Sequence, residues 1–329
     1  MTVQVNWKES TLYQLLESHL VSEIPLAPQR KFASIVLLRE FSSTAVLTTE
    51  GQMLDVEQIR AGREKKELIS RVVLQKRKQI APERRTGRAF NREVGLTTDQ
   101  CVYLEGMCGE CPDCLIYGFA ATKGEGSQRS RILTDSGFTI RAYEGIQRSI
   151  TLNAIHDSHK GGVVGSAFAE REHIRPQVFF PTIETTVDVT PAELIYILRN
   201  ILTTSRYGAE SNRQGTVRNI PVAILFGQTE VMSNLDLTQR IYDQLFKDED
   251  RAQDIPLERE EVQEAALQSL NQAIQSAYLP TKMVYGGELS AFLNDLRALW
   301  HDEEGVKQWL QSLQIDHQDY QKRKKAKKK

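Results

Sequence analysis

Gln177-Val-Phe-Phe-Pro-Thr-Ile-Glu-Thr-Thr-Val187, followed at once by Asp188-Val-Thr-Pro-Ala-Glu193, decides the class of this chain. The first segment is β-branched and aromatic at strand length, so it reads as extended chain. In the second, Thr190 is an N-cap, Pro191 takes the first helical position and Glu193 reaches back to complete a capping box. Leu194, Ile197, Leu198, Ile201 and Leu202 then recur at helical spacing and make one buried face. The helix stops in Ser205-Arg-Tyr-Gly208, a polar loop holding Arg213 follows, and Thr216 to Phe226 returns as a strand.

Working outward, Lys31–Arg39 reads as a strand and Ala45–Thr49 as a second, shorter one. An amphipathic helix is expected from about Ser10 to Leu20, with Leu12, Leu15, Leu16 and Leu20 on one face. Leu68–Leu74 reads as a strand, and Gln79–Arg88, with Pro82 and Gly87 inside it, as an arginine loop. Phe138–Tyr143 and Arg148–Ile155 read as strands, and the Gly-rich stretch His156–Phe168 as the tip of a long hairpin. Helical patterns near 235–246, 257–278 and 287–313 complete the chain, and no internal repeat is visible. Strands and helices without regular βα alternation predict an α+β fold. A split βαβ (ferredoxin-like) core accommodates the order.

All four cysteines fall in Cys101-Val-Tyr-Leu-Glu-Gly-Met-Cys108-Gly-Glu-Cys111-Pro-Asp-Cys114. Thiolates this close can fill the tetrahedral shell of one zinc ion, and Gly and Pro supply the turns that two-residue spacers demand. The expectation is a structural zinc on Cys101, Cys108, Cys111 and Cys114, with His173 as the alternative to Cys101. A redox pair or reduced buried thiols are the bland readings. A deaminase-type zinc is excluded, because only His19 precedes the cluster, no glutamate stands two residues on, and the proline follows Cys111.

Formal net charge is only −1, but from Arg60 to Arg92 twelve Lys or Arg face three acids, and Gln321–Lys329 adds seven basic residues with no acid. Runs such as Lys247-Asp-Glu-Asp250 and Glu258-Arg-Glu-Glu261 make the C-terminal part acidic. A basic zone with interspersed apolar residues is the footprint expected for phosphate backbones; the plain reading is a solvated face. Lys76, Arg77, Lys78, Arg84, Arg85 and Arg88 lead the expected phosphate contacts, then Arg206, Arg213 and Arg218, then Lys160. The tail is expected to be disordered. No signal-peptide pattern and no apolar run of membrane length is present, so an intracellular, soluble protein is expected. GxxxxGK[ST] and GxGxxG are absent, which leaves nucleotide chemistry unsupported.

Four features together resemble the RAMP superfamily of CRISPR proteins, and within it the backbone subunit of type I-D Cascade-like effector complexes. They are Ser34–Glu40, the knuckle Met107–Gly118, the region His156–His173 leading into Phe179-Phe-Pro-Thr-Ile183, and the helix, arginine-glycine loop and strand of 190–226. The resemblance implies an RRM-like core over 1–230, interrupted by a basic zinc-knuckle insertion (60–125) and a β-hairpin thumb (130–187). A helical C-terminal part (231–320) and a basic tail (321–329) would follow. It implies a non-catalytic, cytoplasmic antiviral subunit that oligomerises with other copies of itself along the guide RNA (crRNA). Target nucleic acid would be engaged through the guide, and the other type I-D subunits would be its partners. No RNP pattern stands behind an RRM reading face; Tyr117-Gly-Phe-Ala120 is a superficial echo. Two rivals remain: a metal-dependent ribonuclease using Asp135 or His156-Asp157, and a zinc-containing RNA-processing factor unrelated to CRISPR.

Overall fold

The computed structural model describes residues 7–49, 52–103, 105–120, 126–152, 169–209, 213–247 and 252–327. A 3-10 turn (Trp7–Glu9) leads into α1 (Thr11–His19), capped by Ser10, whose Oγ accepts the Tyr13 N–H at 3.1 Å. After β1 (Phe32–Phe41), β2 (Val56–Arg60) and β3 (Leu68–Leu74) pair antiparallel. α2 (Lys76–Glu93) follows directly, a π-turn (Asp113–Tyr117) closes the cysteine loop, and β4 (Phe119–Ala120) pairs with β5 (Ser127–Gln128). β6 (Ile132–Thr134), β7 (Gly137–Phe138) and the single turn α3 (Tyr143–Ile146) lead to β8 (Gln147–Leu152), which pairs with β9 (Ala169–Ile174). Then come β10 (Val178–Val187), α4 (Pro191–Thr203), β11 (Arg206–Tyr207) and β12 (Gly215–Gly227). α5 (Asn234–Leu245), α6 (Arg259–Gln275), β13 (Lys282–Tyr285), α7 (Gly286–His301) and α8 (Glu303–Ala326) complete the chain.

The central sheet runs β11-β12-β1-β10-β6, with β13 also on β12, and every pairing is antiparallel. β1 lies in its middle and is buried along its whole length, because helices cover both faces. Alternation sends Ala33, Ile35 and Leu37 into a core with Leu12 and Leu16 of α1, Leu194 and Ile197 of α4, Phe292 of α7 and Trp309 of α8. Val36 and Leu38 point the other way, into a core with Leu237 and Ile241 of α5 and Val262 and Leu270 of α6. A strand buried on both sides reads as a near-continuous apolar run, here interrupted by buried Ser34, Arg39 and Glu40. The capping box at Thr190 forms as its spacing predicts, and Glu193 also takes Arg131 and, at 2.9 Å, His317 Nε2 of α8. This fixes α8 over the N-terminus of α4.

Several expectations give way. Gln79–Arg88 is the middle of α2, not a loop. Pro82 removes one amide donor, but Gln79, Glu83, Gly87, Phe90 and Asn91 are buried on one side, and that packing outweighs the local preference. Gly87 is the close-approach point: a Cβ there would meet Asn200 Nδ2 of α4 at 2.4 Å and Tyr196 Oη at 2.6 Å. Ala45–Thr49 makes only one bridge, Ala45 to Ile174. Phe138–Tyr143 shortens to β7 and then turns into α3. The pattern 287–313 divides into α7 and α8 at the extended Asp302, whose Oδ1 accepts the Glu304 N–H at 3.3 Å. The tail is not disordered as far as Ala326: α8 continues through it, and Arg323 donates to Glu23 at 3.0 Å and to the Ile24 carbonyl at 2.8 Å. β2 and β13 carry too little apolar signal to have been expected. The hairpin tip 156–168, with Lys160 and His156-Asp157, lies outside the described residues.

Candidate metal centre and nucleic-acid interface

The four cysteine sulfurs converge. Cys101 Sγ lies 3.9 Å from Cys111 Sγ and 3.8 Å from Cys114 Sγ, Cys108 Sγ lies 3.8 Å from Cys114 Sγ, and all four are within 4.8 Å of one another. A tetrahedral metal–sulfur shell with bonds of ~2.3 Å has edges of roughly 3.8 Å, so the donor set fits a metal ion. Cys101, Cys111 and Cys114 are buried and Cys108 is exposed. His173 takes no part: it sits on β9 with Nδ1 3.2 Å from the Arg171 carbonyl, and Cys101 is the fourth sulfur.

The turn geometry serves the sulfurs. Gly109 adopts φ 74°, and the N–H groups of Glu110 and Cys111 then donate to Cys108 Sγ at 3.4 and 3.3 Å, while Cys108 N–H donates to Cys101 Sγ at 3.4 Å. Amides aimed at sulfur favour thiolate. Hydrogen bonds from Cys111 and then Cys114 hold Cys108 well below the ordinary thiol range, and a bond from Cys111 brings Cys101 to about 6. Cys111 is pushed up by its bond to Cys101, and Cys114 by its bond to Cys108. Among the described residues this is the only group of three or more His, Cys, Asp or Glu placed to hold a metal. The nuclease candidate Asp135 is exposed, and its carbonyl accepts from Gln79 and Asn234.

α2 grips this knuckle with arginines one helical turn apart. Arg84 donates to both Asp113 oxygens, at 2.9 and 2.8 Å, and to the Gly118 carbonyl at 2.9 Å. Burial opposes its charge, but the Asp113 bonds outweigh that and hold its pKa above the ordinary value. Arg88 reaches Met107 Sδ at 3.9 Å and lies 5.8 Å from the Tyr103 ring centroid. Arg92 donates to the Cys101 carbonyl at 3.1 Å. Sequence reading missed Arg92 and Asp113; the four-residue spacing of Arg84, Arg88 and Arg92 was the signal, visible only once 76–93 is a helix.

The remaining cations divide by place. Lys76, Arg77 and Arg85 are exposed on α2, and Lys78 is half-buried, its ammonium lowered by burial and then by Arg77. An open groove of about 610 Å³ brings Arg77, Lys78, Arg85 and Arg88 together with Tyr103 and Gly208. Arg206, two residues before Gly208, is exposed on β11 and reaches the Gln214 carbonyl at 3.4 Å. Arg213 is half-buried, and Arg218 is exposed on β12 opposite Glu40, not among the groove residues. Beneath the groove's helix, Arg39 is fully buried and ion-paired to Glu184 and, at 2.9 Å, to Glu83 of α2, with Tyr207 Oη and Asn219 Oδ1 accepting at 2.9 and 2.7 Å. Removing any one partner from such a set leaves buried charge uncompensated, so the network locks α2 onto the sheet.

An α+β protein with a helix-covered antiparallel sheet, a four-cysteine centre and a basic groove beside it is the class these features define. Residues 19–310 match the family model described as Csc2 Crispr, and the chain belongs to that family. The crystal structure of Thermofilum pendens Csc2 superposes with a TM-score of 0.55 at 19% identity, over 90% of this chain and 94% of that one. A chain of a CRISPR RNA-guided surveillance complex superposes with a TM-score of 0.47 at 9% identity, over 77% of this chain and 88% of that one. No curated protein sequence matches. Among the described residues no helix is long and apolar enough to cross a membrane.

Proposed function

We propose that this chain is a non-catalytic backbone subunit of a type I-D Cascade-like effector complex, binding the guide RNA and presenting it for target pairing. The observation that carries the reading is the basic groove on α2, laid beside a cysteine knuckle that α2 itself clamps. Membership of the Csc2 CRISPR family supports it. The strand order β12-β1-β10-β6, with α2 between β1 and β6 and α4 between β10 and β12 in sequence, supports an RRM-like, ferredoxin-like core. The separately paired β8 and β9 support a thumb, with Lys160 in the segment between them. The ion on Cys101, Cys108, Cys111 and Cys114 is zinc, whose structural sites take four thiolates and leave no open position for catalysis.

Grip through phosphates suits a protein that must carry any guide, with sequence read by base pairing. Exposed Lys76, Arg77, Arg85 and Arg206 supply that grip, and Arg213 and Arg218 extend it. Acidic α5–α6 and basic α2 favour head-to-tail docking of copies along the RNA, a heterologous contact that propagates. The protein works in the cytoplasm with the other subunits of its complex. The test is RNA binding against salt with Lys76, Arg77 and Arg85 replaced by alanine. Losing three phosphate contacts lowers the slope of log affinity on log salt by about 2 (~0.7 for each contact to a single strand). An unchanged slope, or strong preference among unstructured RNAs of different sequence, contradicts the reading.

A further inference from the structure

Tyr103 stands apart from the knuckle's other roles. It follows Cys101 by two residues, yet the residue is 58% exposed, where a large aromatic side chain ordinarily seeks cover. The ring is held, not loose. Val102 N–H donates to the Gly106 carbonyl at 2.8 Å and Gly106 N–H to the Val102 carbonyl at 3.0 Å, closing the turn that carries it. On its other side the Arg88 guanidinium lies 5.8 Å from the ring centroid, itself steadied by Met107 Sδ.

The ring lines the groove that also holds Arg77, Lys78 and Arg85. The lining is not purely cationic: Ile80, Ala81 and Pro82 contribute apolar surface. A groove for phosphate alone needs neither an aromatic face nor an apolar wall. A nucleotide has one part for each: a phosphate for the cations, and a flat base for the ring and the guanidinium beside it. Every base has a π-face, so this contact costs the protein none of its indifference to sequence.

We propose that Tyr103, backed by Arg88, stacks one unpaired base of bound single-stranded RNA, and that the metal centre holds the ring in place to do so. The proposal rests on the RNA-binding reading above and adds to it a base contact that the phosphate grip does not contain. It also gives the cysteine centre a part in binding: Cys101 anchors the turn from one side through its sulfur, and Arg92 anchors it through the Cys101 carbonyl. Loss of the ion frees Tyr103 from the groove.

The experiment titrates the full-length, metal-loaded protein with an unstructured RNA of about 16 nucleotides carrying 2-aminopurine, whose fluorescence falls on stacking. Tyr103→Ala is expected to weaken binding about 10-fold and to abolish the quench, with the salt slope unchanged. Tyr103→Phe keeps both affinity and quench. An RNA abasic along its length binds wild type and Tyr103→Ala alike. Protein stripped with EDTA loses the quench while keeping its salt-dependent binding. Equal affinity and quench for wild type and Tyr103→Ala overturn the proposal, and so does equal weakening on abasic RNA, which marks a packing role. A quench that survives EDTA overturns the part assigned to the metal. If wild type binds no RNA at all, the functional reading falls and this one with it.

Discussion

Removing the Arg84 side chain isolates the clamp between α2 and the cysteine knuckle. The Asp113 carboxylate is fully buried, Arg84 is 15% exposed, and two charge-assisted bonds join them while a third reaches the Gly118 carbonyl. Truncating one partner of a buried pair costs about 3–5 kcal/mol, and the partial exposure of Arg84 places Arg84→Ala near 3 kcal/mol. Arg84→Lys retains charge but not the planar fork and recovers about half of that. The knuckle adds no strand to the central sheet, so the loss is expected first in release of a bound metal ion, where 3 kcal/mol corresponds to about 100-fold. The assay is stopped-flow transfer of the ion to a chromophoric chelator, run for wild type, Arg84→Ala, Asp113→Leu and the double variant. The double variant should be much less impaired than the sum of the two singles, since both charges are gone. Release from Arg84→Ala at the wild-type rate, or strictly additive variants, refutes the clamp.

Gly87→Ala would gain about 1 kcal/mol in helix propensity, yet its Cβ falls within 2.6 Å of buried Asn200 and Tyr196 atoms. The expected net result is a loss of about 1–3 kcal/mol by urea denaturation, and equal or higher stability contradicts the close packing of α2 on α4. The α8 latch is pH-dependent with opposing signs. Arg131 and His317 outweigh burial and lower Glu193 to about 2, so its contribution is present above the unfolded value of 4.5 and is lost as pH falls below that. Also on α8, Asp316 Oδ2 accepts the Thr190 hydroxyl at 2.6 Å; burial raises its carboxyl from 3.8 to about 6, so stability declines as pH rises through that interval. Asp316→Asn, followed by thermal unfolding from pH 3 to 8 (roughly the span of both shifts), should raise stability at neutral pH and remove that decline. An unchanged profile contradicts the assignment.

The elements legible in the sequence were those whose local signals and tertiary roles agree. β1, β10 and β12 are apolar runs because helices cover both faces of the sheet, and α4 carries its own cap. The cysteine cluster was legible because four sulfurs in one short window can be brought within reach of a single ion. α2 was not, because Pro82 and Gly87 are breakers by local chemistry. The contacts that overrule them come from α4, the knuckle and the buried Arg39–Glu83 pair, all outside the helix's own local sequence. The same error hid what the arginines do: as a loop the stretch is a uniform basic patch. As a helix it has one side that grips the knuckle, through Arg84, Arg88 and Arg92, and another that faces solvent. Tyr103 gave no signal at all, since an aromatic beside a metal ligand ordinarily packs inward.

Photochemical crosslinking of the intact protein to single-stranded RNA, with adducts mapped by mass spectrometry, tests the central claim most directly. The account predicts adducts concentrated on the peptides covering Lys76–Arg88 and Tyr103, diminished when Lys76, Arg77 and Arg85 are alanine. Adducts confined to α5 and α6, or none on α2 and the knuckle while RNA remains bound, would contradict it.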